Sequence, residues 1–326
     1  MIRKIAYLFG AGATHAELLA LDPDLQPNEG LLISDVSTRV MLKASLDQDY
    51  LRDIDMVSGR AGSLNIELLI SLIENSKVSE WSRKTDLLKK LIREDIAAAL
   101  SPARTRRFFL HKALLEFHQH ETTQIKETLV GLISLNYNAV IDLAYKAILG
   151  GPINYSFSRE MDSQPKANVP LLKLHGSFNW NNELVLARRR NIEIIQPGSS
   201  KSYLHAPYGF IWNRALDLLS SCDSLRIIGC SLGANDVHLI DLLFRAQLER
   251  RKAFDIEIVA PEGTGETIRK SYGFFRNIKL MADMGIPSTP VVGPINPFLT
   301  WLQYTGAKML TNDEINAMRY LRRVTT

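Results

Sequence analysis

The sequence is poor in cysteine: its 326 residues include two, Cys222 and Cys230. A structural zinc module takes about four thiolate or imidazole ligands, usually in Cys-x-x-Cys pairs, and neither cysteine stands in such a pair. A cysteine-based zinc ribbon is therefore excluded, and a disulfide framework is disfavoured. Both cysteines fall in or beside an apolar run, which favours buried, reduced thiols.

The sequence also lacks a long apolar run and a strong net charge. No segment approaches the roughly 18 continuous apolar residues of a membrane span. The first apolar run, residues 5–9, is too short for a signal peptide, so we expect a cytoplasmic protein with no membrane contact. The net charge of +4 gives no support by itself for nucleic-acid binding. Basic clusters at 104–107, 188–190 and 250–252 lack interleaved aromatic residues, so solvated faces or partner contacts are their favoured interpretation.

Short apolar runs alternate with helical patterns, an order typical of a parallel sheet covered on both faces. The patterns predict strands at 5–9, 129–135, 170–174, 192–195, 225–228 and 256–259. They predict helices at 14–20, 140–149, 208–221 and 237–250, and one that starts at Ser101-Pro102 and runs through Phe117. The predicted fold is α/β: a Rossmann-like, mostly parallel sheet with helices on both faces and a helical insertion.

The helical insertion divides the sheet domain in sequence. We predict a Rossmann-like domain made of residues 1–30 and 126–285, with a helical, strand-poor insertion at 31–125. Residues 286–326 form a C-terminal extension, which prolines make irregular and which ends in a helix from about Asn312.

The first predicted strand ends in the turn Gly10-Ala11-Gly12-Ala13-Thr14. Two glycines let the backbone approach a pyrophosphate closely, and the following helix points its first amides at that anion. His15, directly after the turn, is a candidate ligand contact. The third glycine and the acidic residue of the usual dinucleotide fingerprint are absent, so an ordinary strand-to-helix turn is the alternative.

Two further strands end in polar residues, at Asn136 and at His175. An asparagine amide can hold a water or a ribose hydroxyl because it both donates and accepts. A histidine, with an ordinary pKa of about 6.5, suits a general base near neutrality. The alternatives are an asparagine that caps the next helix and a structural histidine. His111 and His118 show no tight ligand cluster, so a metal site there is disfavoured.

A fourth strand ends in the small residues that begin at Gly229. Ser231 or Asp236 can bind a ribose or a phosphate there, and Asp236 could equally cap the next helix. Ligands bind at the carboxyl ends of the strands in such sheets. The four strand ends together therefore predict one dinucleotide site.

Taken in order, these strings resemble motifs of the sirtuin superfamily. The four matching strings are Gly10-Ala11-Gly12-Ala13-Thr14, Ser134-Leu135-Asn136-Tyr137-Asn138, Leu174-His175-Gly176-Ser177 and Gly229-Cys230-Ser231-Leu232. Two departures stand out, because no Ile-Pro-Asp-Phe-Arg stretch follows Thr14 and two cysteines cannot build the four-cysteine zinc module of deacylase sirtuins. Both departures resemble the bacterial sirtuin-like proteins of antiphage defence, which cleave NAD⁺. Asn138 stands where the family usually has Asp.

The resemblance implies a role for each site residue, with NAD⁺ as substrate and no zinc. Asn136 would hold the water or the ribose, and His175 would act as the base. The pyrophosphate would lie on the glycine turn, Ser231 and Asp236 would hold the adenosine side, and Glu262 is a weaker candidate near the adenine ribose. The implied binding set is Gly10, Ala11, Gly12, Thr14, His15, Asn138, Ser177, Gly229, Ser231, Asp236 and Glu262.

The implied reaction is hydrolysis of NAD⁺ to nicotinamide and ADP-ribose, or to a cyclic or variant product. Two alternatives stay open. One is a non-catalytic sensor of NAD or ADP-ribose that regulates a partner, and the other, less favoured, is a protein deacylase or ADP-ribosyltransferase. Because a defence NADase must be restrained, the resemblance also implies a homo-oligomer or a partner such as a DNA-translocating ATPase or a short Argonaute. The helical insertion and the basic C-terminal helix are candidate contact surfaces.

Overall fold

A computed structural model describes most of the chain. It covers residues 2–26, 28–46, 65–76, 79–120, 127–158, 169–180, 207–233, 236–250, 255–287 and 296–306. Several predicted features lie outside these residues: the strand at 192–195, the arginines at 188–190, two residues of the basic cluster at 250–252, and the C-terminal helix. Within the described residues, no helix is both long and apolar enough to cross a membrane.

Six parallel strands form one sheet in the order β3-β2-β1-β4-β5-β6. The strands are β1 (Arg3–Phe9), β2 (Glu127–Ser134), β3 (Leu171–Lys173), β4 (Ser224–Ile228), β5 (Asp255–Val259) and β6 (Ile278–Leu280). This is the doubly wound order of dinucleotide-binding folds, in which the chain reverses direction across the sheet between β1 and β4. The predicted fold class is therefore confirmed.

Helices connect the strands and cover both faces of the sheet. In chain order they are α1 (Ala11–Leu21), α2 (Ile33–Ala44), α3 (Ile66–Ser76), α4 (Ser79–Ala99), α5 (Pro102–Thr105), α6 (Leu110–His120), α7 (Val140–Ile148), α8 (Tyr208–Ser221), α9 (Val237–Arg250), α10 (Glu262–Ser271) and α11 (Pro297–Trp301). A 3₁₀ turn spans Ala282–Met284, and a π turn, Leu302–Gly306, follows α11.

The helix predicted from Ser101 through Phe117 is wrong, because the chain breaks between α5 and α6. The side chain of Glu17, from α1, caps the start of α6. Its Oε2 accepts the backbone N–H of Phe109 at 2.8 Å and of Leu110 at 3.0 Å, and its Oε1 accepts that of His111 at 2.9 Å. A cap contributed from 92 to 94 positions away leaves no local signal. Sequence reasoning also missed α10, β6 and α11.

Alternation along β1 assigns its side chains to two covered faces. Tyr7 and Phe9 point to one face, where they meet rings from α6 and α11, among them His118 and Phe298. On the other face, a Cβ at Gly131 would lie 2.3 Å from a methyl of Leu218, so α8 packs directly on the backbone of β2. A sheet buried on both sides accounts for continuous apolar strands instead of alternating ones.

A second, smaller apolar cluster joins the insertion to the sheet domain. It is formed by buried residues of α2, α3 and α4, and it reaches Leu18 on α1 and Val140 at the start of α7. These two helices begin at the carboxyl ends of β1 and β2. The insertion therefore packs over the edge of the sheet at which the predicted site residues lie.

Candidate functional site

The strand register brings the Asn136 and His175 loops to the same level of the sheet. Ser134, the last residue of β2, pairs with Lys173, the last residue of β3. Asn136 and His175 each lie two residues further on. Because neighbouring parallel strands end together here, both side chains reach the same edge, and both are buried, at 8% and 6% exposure.

The glycine turn after β1 packs against the turn after β4. A Cβ at Gly10 would lie 2.6 Å from the carbonyl oxygen of Gly229, and one at Gly12 would lie 2.8 Å from the Gly229 Cα. Gly229 has a φ of +63°, which disfavours a side chain by itself. Backbone-to-backbone contact is thus a sufficient reason for these three glycines.

Two of the first backbone N–H groups of α1 donate to carbonyl groups of the protein itself. Gly12 donates its N–H to the Gly229 carbonyl at 2.8 Å, and Ala13 donates to the Gly10 carbonyl at 3.0 Å. Among the described residues, the Ala11 amide has no acceptor. Ala11 lines the cavity described below, and its amide stands at the positive end of the helix dipole, where an anion is favoured.

Asn136 and Asn138 meet at the hydroxyl of Thr14. The Asn136 Nδ2 donates to the Gly10 carbonyl at 2.9 Å and to the Thr14 Oγ1 at 3.1 Å, and the Asn138 Nδ2 donates to the same Oγ1 at 3.3 Å. Both Asn136 amide hydrogens are thereby used, which leaves its Oδ1 to accept from a ligand. The Asn138 Oδ1 accepts from the Val140 amide at 3.1 Å, so Asn138 also caps the start of α7.

His175 lies between the β3 end and a glycine in left-handed conformation. Gly176 has a φ of +83°, which turns the chain directly after the histidine. The His175 ring packs beside that of Tyr137, with 6.0 Å between centroids and 31° between planes. This tilted ring contact with a neighbouring loop limits the directions in which the imidazole can point.

A cavity of about 470 Å³ lies between the strand ends and the insertion. We call it the strand-end cavity. Ten predicted site residues line it: Gly10, Ala11, Gly12, Thr14, Asn136, Asn138, His175, Gly229, Ser231 and Asp236. Its volume falls in the range of small-molecule sites. Its described lining includes no lysine or arginine, so an anionic ligand would be met there by backbone amides and the α1 dipole.

Three predicted contacts do not line the strand-end cavity. The Nδ1 of His15 accepts from the Leu31 amide at 3.2 Å, and burial lowers its pKa. Ser177 is buried, and its hydroxyl donates to the Tyr137 carbonyl at 3.1 Å. Glu262 is exposed in the first turn of α10, next to the lining residue Pro261. Their assignment as ligand contacts stays a prediction.

Sequence reasoning missed the wall that the insertion contributes. Its polar members are Ser34, Asn65 and Glu67, and apolar residues of α2 and α4 surround them. The Asn65 Oδ1 accepts from the amides of Glu67 and Leu68 at 3.0 and 3.2 Å, a cap at the start of α3. Asn65 before an apolar helical run was therefore readable as a helix start. Its position at the cavity could not be predicted from the sequence, because tertiary packing brings it there.

Cys230 lines the strand-end cavity as a neutral thiol. Burial raises its pKa to about 12, and Asp236 adds to that rise, so thiolate chemistry at neutral pH is disfavoured. The predicted burial of both cysteines is confirmed, and neither forms a disulfide. The described residues hold no group of three or more His, Cys, Asp or Glu side chains arranged for a metal ion.

The family match found by comparison with known proteins covers the part of the chain that holds three of the four motifs. Residues 130–269 match the family described as SIR2-like domain. One solved structure, from work on the structural basis for the mechanism and regulation of Sir2 enzymes, is 13% identical. That match covers 98% of this chain and 94% of that chain, with a TM-score of 0.37. None of the curated proteins matches the sequence.

Proposed function

We propose that the protein hydrolyses NAD⁺ to nicotinamide and ADP-ribose in the strand-end cavity. One observation carries the proposal: Asn136 and His175, from the ends of neighbouring strands, line a single cavity together with the glycine turn. This cavity lies where doubly wound sheets bind dinucleotides, at the reversal of strand order between β1 and β4. The SIR2-like match over residues 130–269 supports the same substrate.

In the proposed reaction the bond between nicotinamide and the ribose C1′ breaks, and nicotinamide leaves as a neutral molecule. Water adds to C1′, and its proton passes to a base. The transition state is oxocarbenium-like, so the protein contributes mainly by positioning the water and stabilising charge. The Asn136 Oδ1 accepts a hydrogen bond from the water or a ribose hydroxyl, and His175 receives the proton.

The wall of the strand-end cavity suits the two ends of this substrate differently. The Ala11 amide and the α1 dipole favour the pyrophosphate. Glu67 lines the cavity, and no lysine or arginine is among the described lining residues. Carboxylates stabilise positive charge that develops on a ribose ring, which is the charge that bond breakage creates.

A nucleotide sensor without turnover is the second candidate. Asn136 and Asn138 already donate to Thr14 Oγ1 within the protein, an arrangement that also suits a rigid binding site. In that case the protein would bind NAD⁺ or ADP-ribose tightly and release no nicotinamide over hours. A deacylase would instead consume an acyl-lysine peptide in step with NAD⁺.

The experiment incubates the purified protein and His175→Ala with NAD⁺, and chromatography quantifies nicotinamide and ADP-ribose. Loss of a general base costs about 10²- to 10⁴-fold in rate, so we expect the variant to be nearly inactive. His238→Ala, on α9 and outside the cavity lining, is the matched control and keeps its activity. Wild-type activity in His175→Ala would refute the assignment. Inactive wild-type protein would favour the sensor once candidate activators have been tested.

We further propose that this activity serves antiphage defence by depleting NAD⁺. That role requires restraint, by homo-oligomerisation or by a partner such as a DNA-translocating ATPase or a short Argonaute. Size-exclusion chromatography with light scattering, alone and with candidate partners, tests the assembly. A monomer whose full activity no partner alters would contradict it.

A further inference from the structure

A buried ion pair lies directly behind the Asn136 and His175 loops. Lys173, the last residue of β3, has no exposed surface, and its Nζ lies 2.8 Å from the Oδ2 of Asp142 on α7. Neither residue lines the strand-end cavity. Burial lowers the pKa of the Lys173 ammonium, and the Asp142 carboxylate opposes that shift.

The Lys173 ammonium has three protons and three acceptors. Besides Asp142, it donates to the Asn138 carbonyl at 2.6 Å and to the Ser177 hydroxyl. An ammonium group with all three protons used has none to offer a substrate. Its contacts link the loop that carries Asn136 to the loop that carries His175.

Other bonds join the same two loops. The Tyr137 carbonyl accepts from the Phe178 amide at 2.9 Å and from the Ser177 hydroxyl at 3.1 Å. Asp142 continues the network on its other oxygen, where the Tyr155 hydroxyl donates at 2.5 Å. The two loops are therefore joined through Lys173, Asp142 and Ser177, which do not line the strand-end cavity.

We propose that the Lys173–Asp142 pair is a positioning element that fixes the Asn136 loop relative to His175, and that Ser177 belongs to it instead of binding the dinucleotide. This inference rests on the proposed function, because the relative placement of Asn136 and His175 matters only if both act on one substrate. A displacement of about 1 Å can cost roughly 10²-fold in rate. An ion pair buried behind the site holds the two loops together and so prevents such a displacement.

The alternative is a pair that only stabilises the fold, and a double variant separates the two roles. Replacing both members of a buried ion pair by neutral residues is often harmless to stability, whereas removing one leaves an unpaired charge. Lys173→Met/Asp142→Asn removes both charges and keeps an oxygen to accept from Tyr155. A purely structural pair predicts recovered stability and recovered activity. A positioning pair predicts recovered stability, a kcat about 10²-fold lower and a KM for NAD⁺ within about threefold of wild type.

Ser177→Ala is the milder second variant, since it removes one acceptor of Lys173 and no charge. We expect kcat to fall about tenfold at unchanged KM. A raised KM at unchanged kcat would indicate that Ser177 contacts the substrate. That result would overturn its assignment to the positioning element. Arg226→Met is a control for the loss of a buried charge, because it breaks the buried ion pairs with Glu257 and Glu127, away from the strand-end cavity. Its folded protein keeps the wild-type kcat.

A readout independent of turnover separates failure of this proposal from failure of the proposed function. The side-chain amide signals of Asn136 and Asn138 are recorded by ¹H–¹⁵N NMR in wild type, the double variant and Arg226→Met. Signals that shift in the double variant and stay in Arg226→Met support positioning, even if wild type releases no nicotinamide. Unmoved signals, or a double variant with wild-type kcat, overturn it.

Discussion

Gly12 donates its backbone N–H to the carbonyl of Gly229 at 2.8 Å, across two turns that are 217 residues apart in sequence. This bond joins the turns that follow the neighbouring strands β1 and β4, where the strand order reverses. The glycine turn is thus first a contact between two backbones. The same turn places Ala11 in the lining of the strand-end cavity.

Gly229→Ala should therefore destabilise the protein and abolish ligand binding. An added Cβ would lie 2.1 Å from the Ala13 nitrogen, and the φ of +63° strains any side chain. We expect a loss of about 3 kcal/mol in the free energy of unfolding, measured by urea denaturation. Gly263→Ala, in α10 with no atom within 4 Å of the new Cβ, is the control and should lose nothing. Equal stability of the two variants would contradict the packing argument.

Asn138→Asp should speed nicotinamide release about tenfold. A carboxylate at this position keeps the bond from the Val140 amide, and it gains from the dipole at the start of α7. It also places a negative charge beside the developing oxocarbenium ion. Steady-state kinetics measure the effect, with Asn138→Ala as the variant that loses both hydrogen bonds. A slower Asn138→Asp enzyme would show that the hydrogen bond from the Asn138 side-chain amide to the Thr14 hydroxyl is required.

Glu17→Gln should destabilise the fold without changing the site. The Glu17 carboxylate is fully buried, and besides the three amides at the start of α6 it binds the Nδ1 of His111 at 2.7 Å. The side-chain NH₂ group of glutamine would face backbone N–H donors and could not accept from them. We therefore expect the free energy of unfolding to fall by about 3 kcal/mol. Chemical denaturation gives the value. Glu266→Gln, in an exposed pair with Arg269, is the control and should show no measurable change.

His118 should make the protein less stable in mild acid. Burial, reinforced by the Arg226 charge, lowers its pKa from 6.5 to about 3. Below pH 6.5 the His118 side chain is therefore protonated in the unfolded state. In the folded state it stays neutral until the pH falls to about 3. The contribution of His118 is complete above pH 6.5 and is lost progressively as the pH falls.

Between pH 7.5 and pH 5.5, the His118 contribution to the free energy of unfolding should fall by about 1.4 kcal/mol. Urea denaturation at both pH values, in wild type and in His118→Gln, isolates it. The variant loses the bond between His118 Nε2 and the Tyr7 hydroxyl, so it is less stable at both pH values. Its dependence on pH should nevertheless be flatter than that of wild type. Parallel curves for the two proteins would show that His118 accepts a proton in the folded state.

Local patterns predicted five of the six described strands and the helices α1, α7, α8 and α9. The helices Tyr208–Ser221 and Val237–Arg250 have the predicted bounds, and the other predicted strands and helices within the described residues differ by a few residues at their ends. The exception is the helix predicted from Ser101 through Phe117, where a cap from Glu17 replaced a local one. The short β6 and α11 carried too few residues for a periodic signal.

The sequence by itself determined the fold class and the strand ends that carry Gly10, Asn136, His175 and Gly229, because apolar periodicity and small polar residues at strand ends are local properties. Tertiary structure decided which predicted site residues line the strand-end cavity. The Asn136 amide is bound to Gly10, 126 positions away, and Ser177 faces a buried lysine instead of the cavity. Such placements depend on contacts between distant segments, and the register of neighbouring strands fixes them only when the chain is folded.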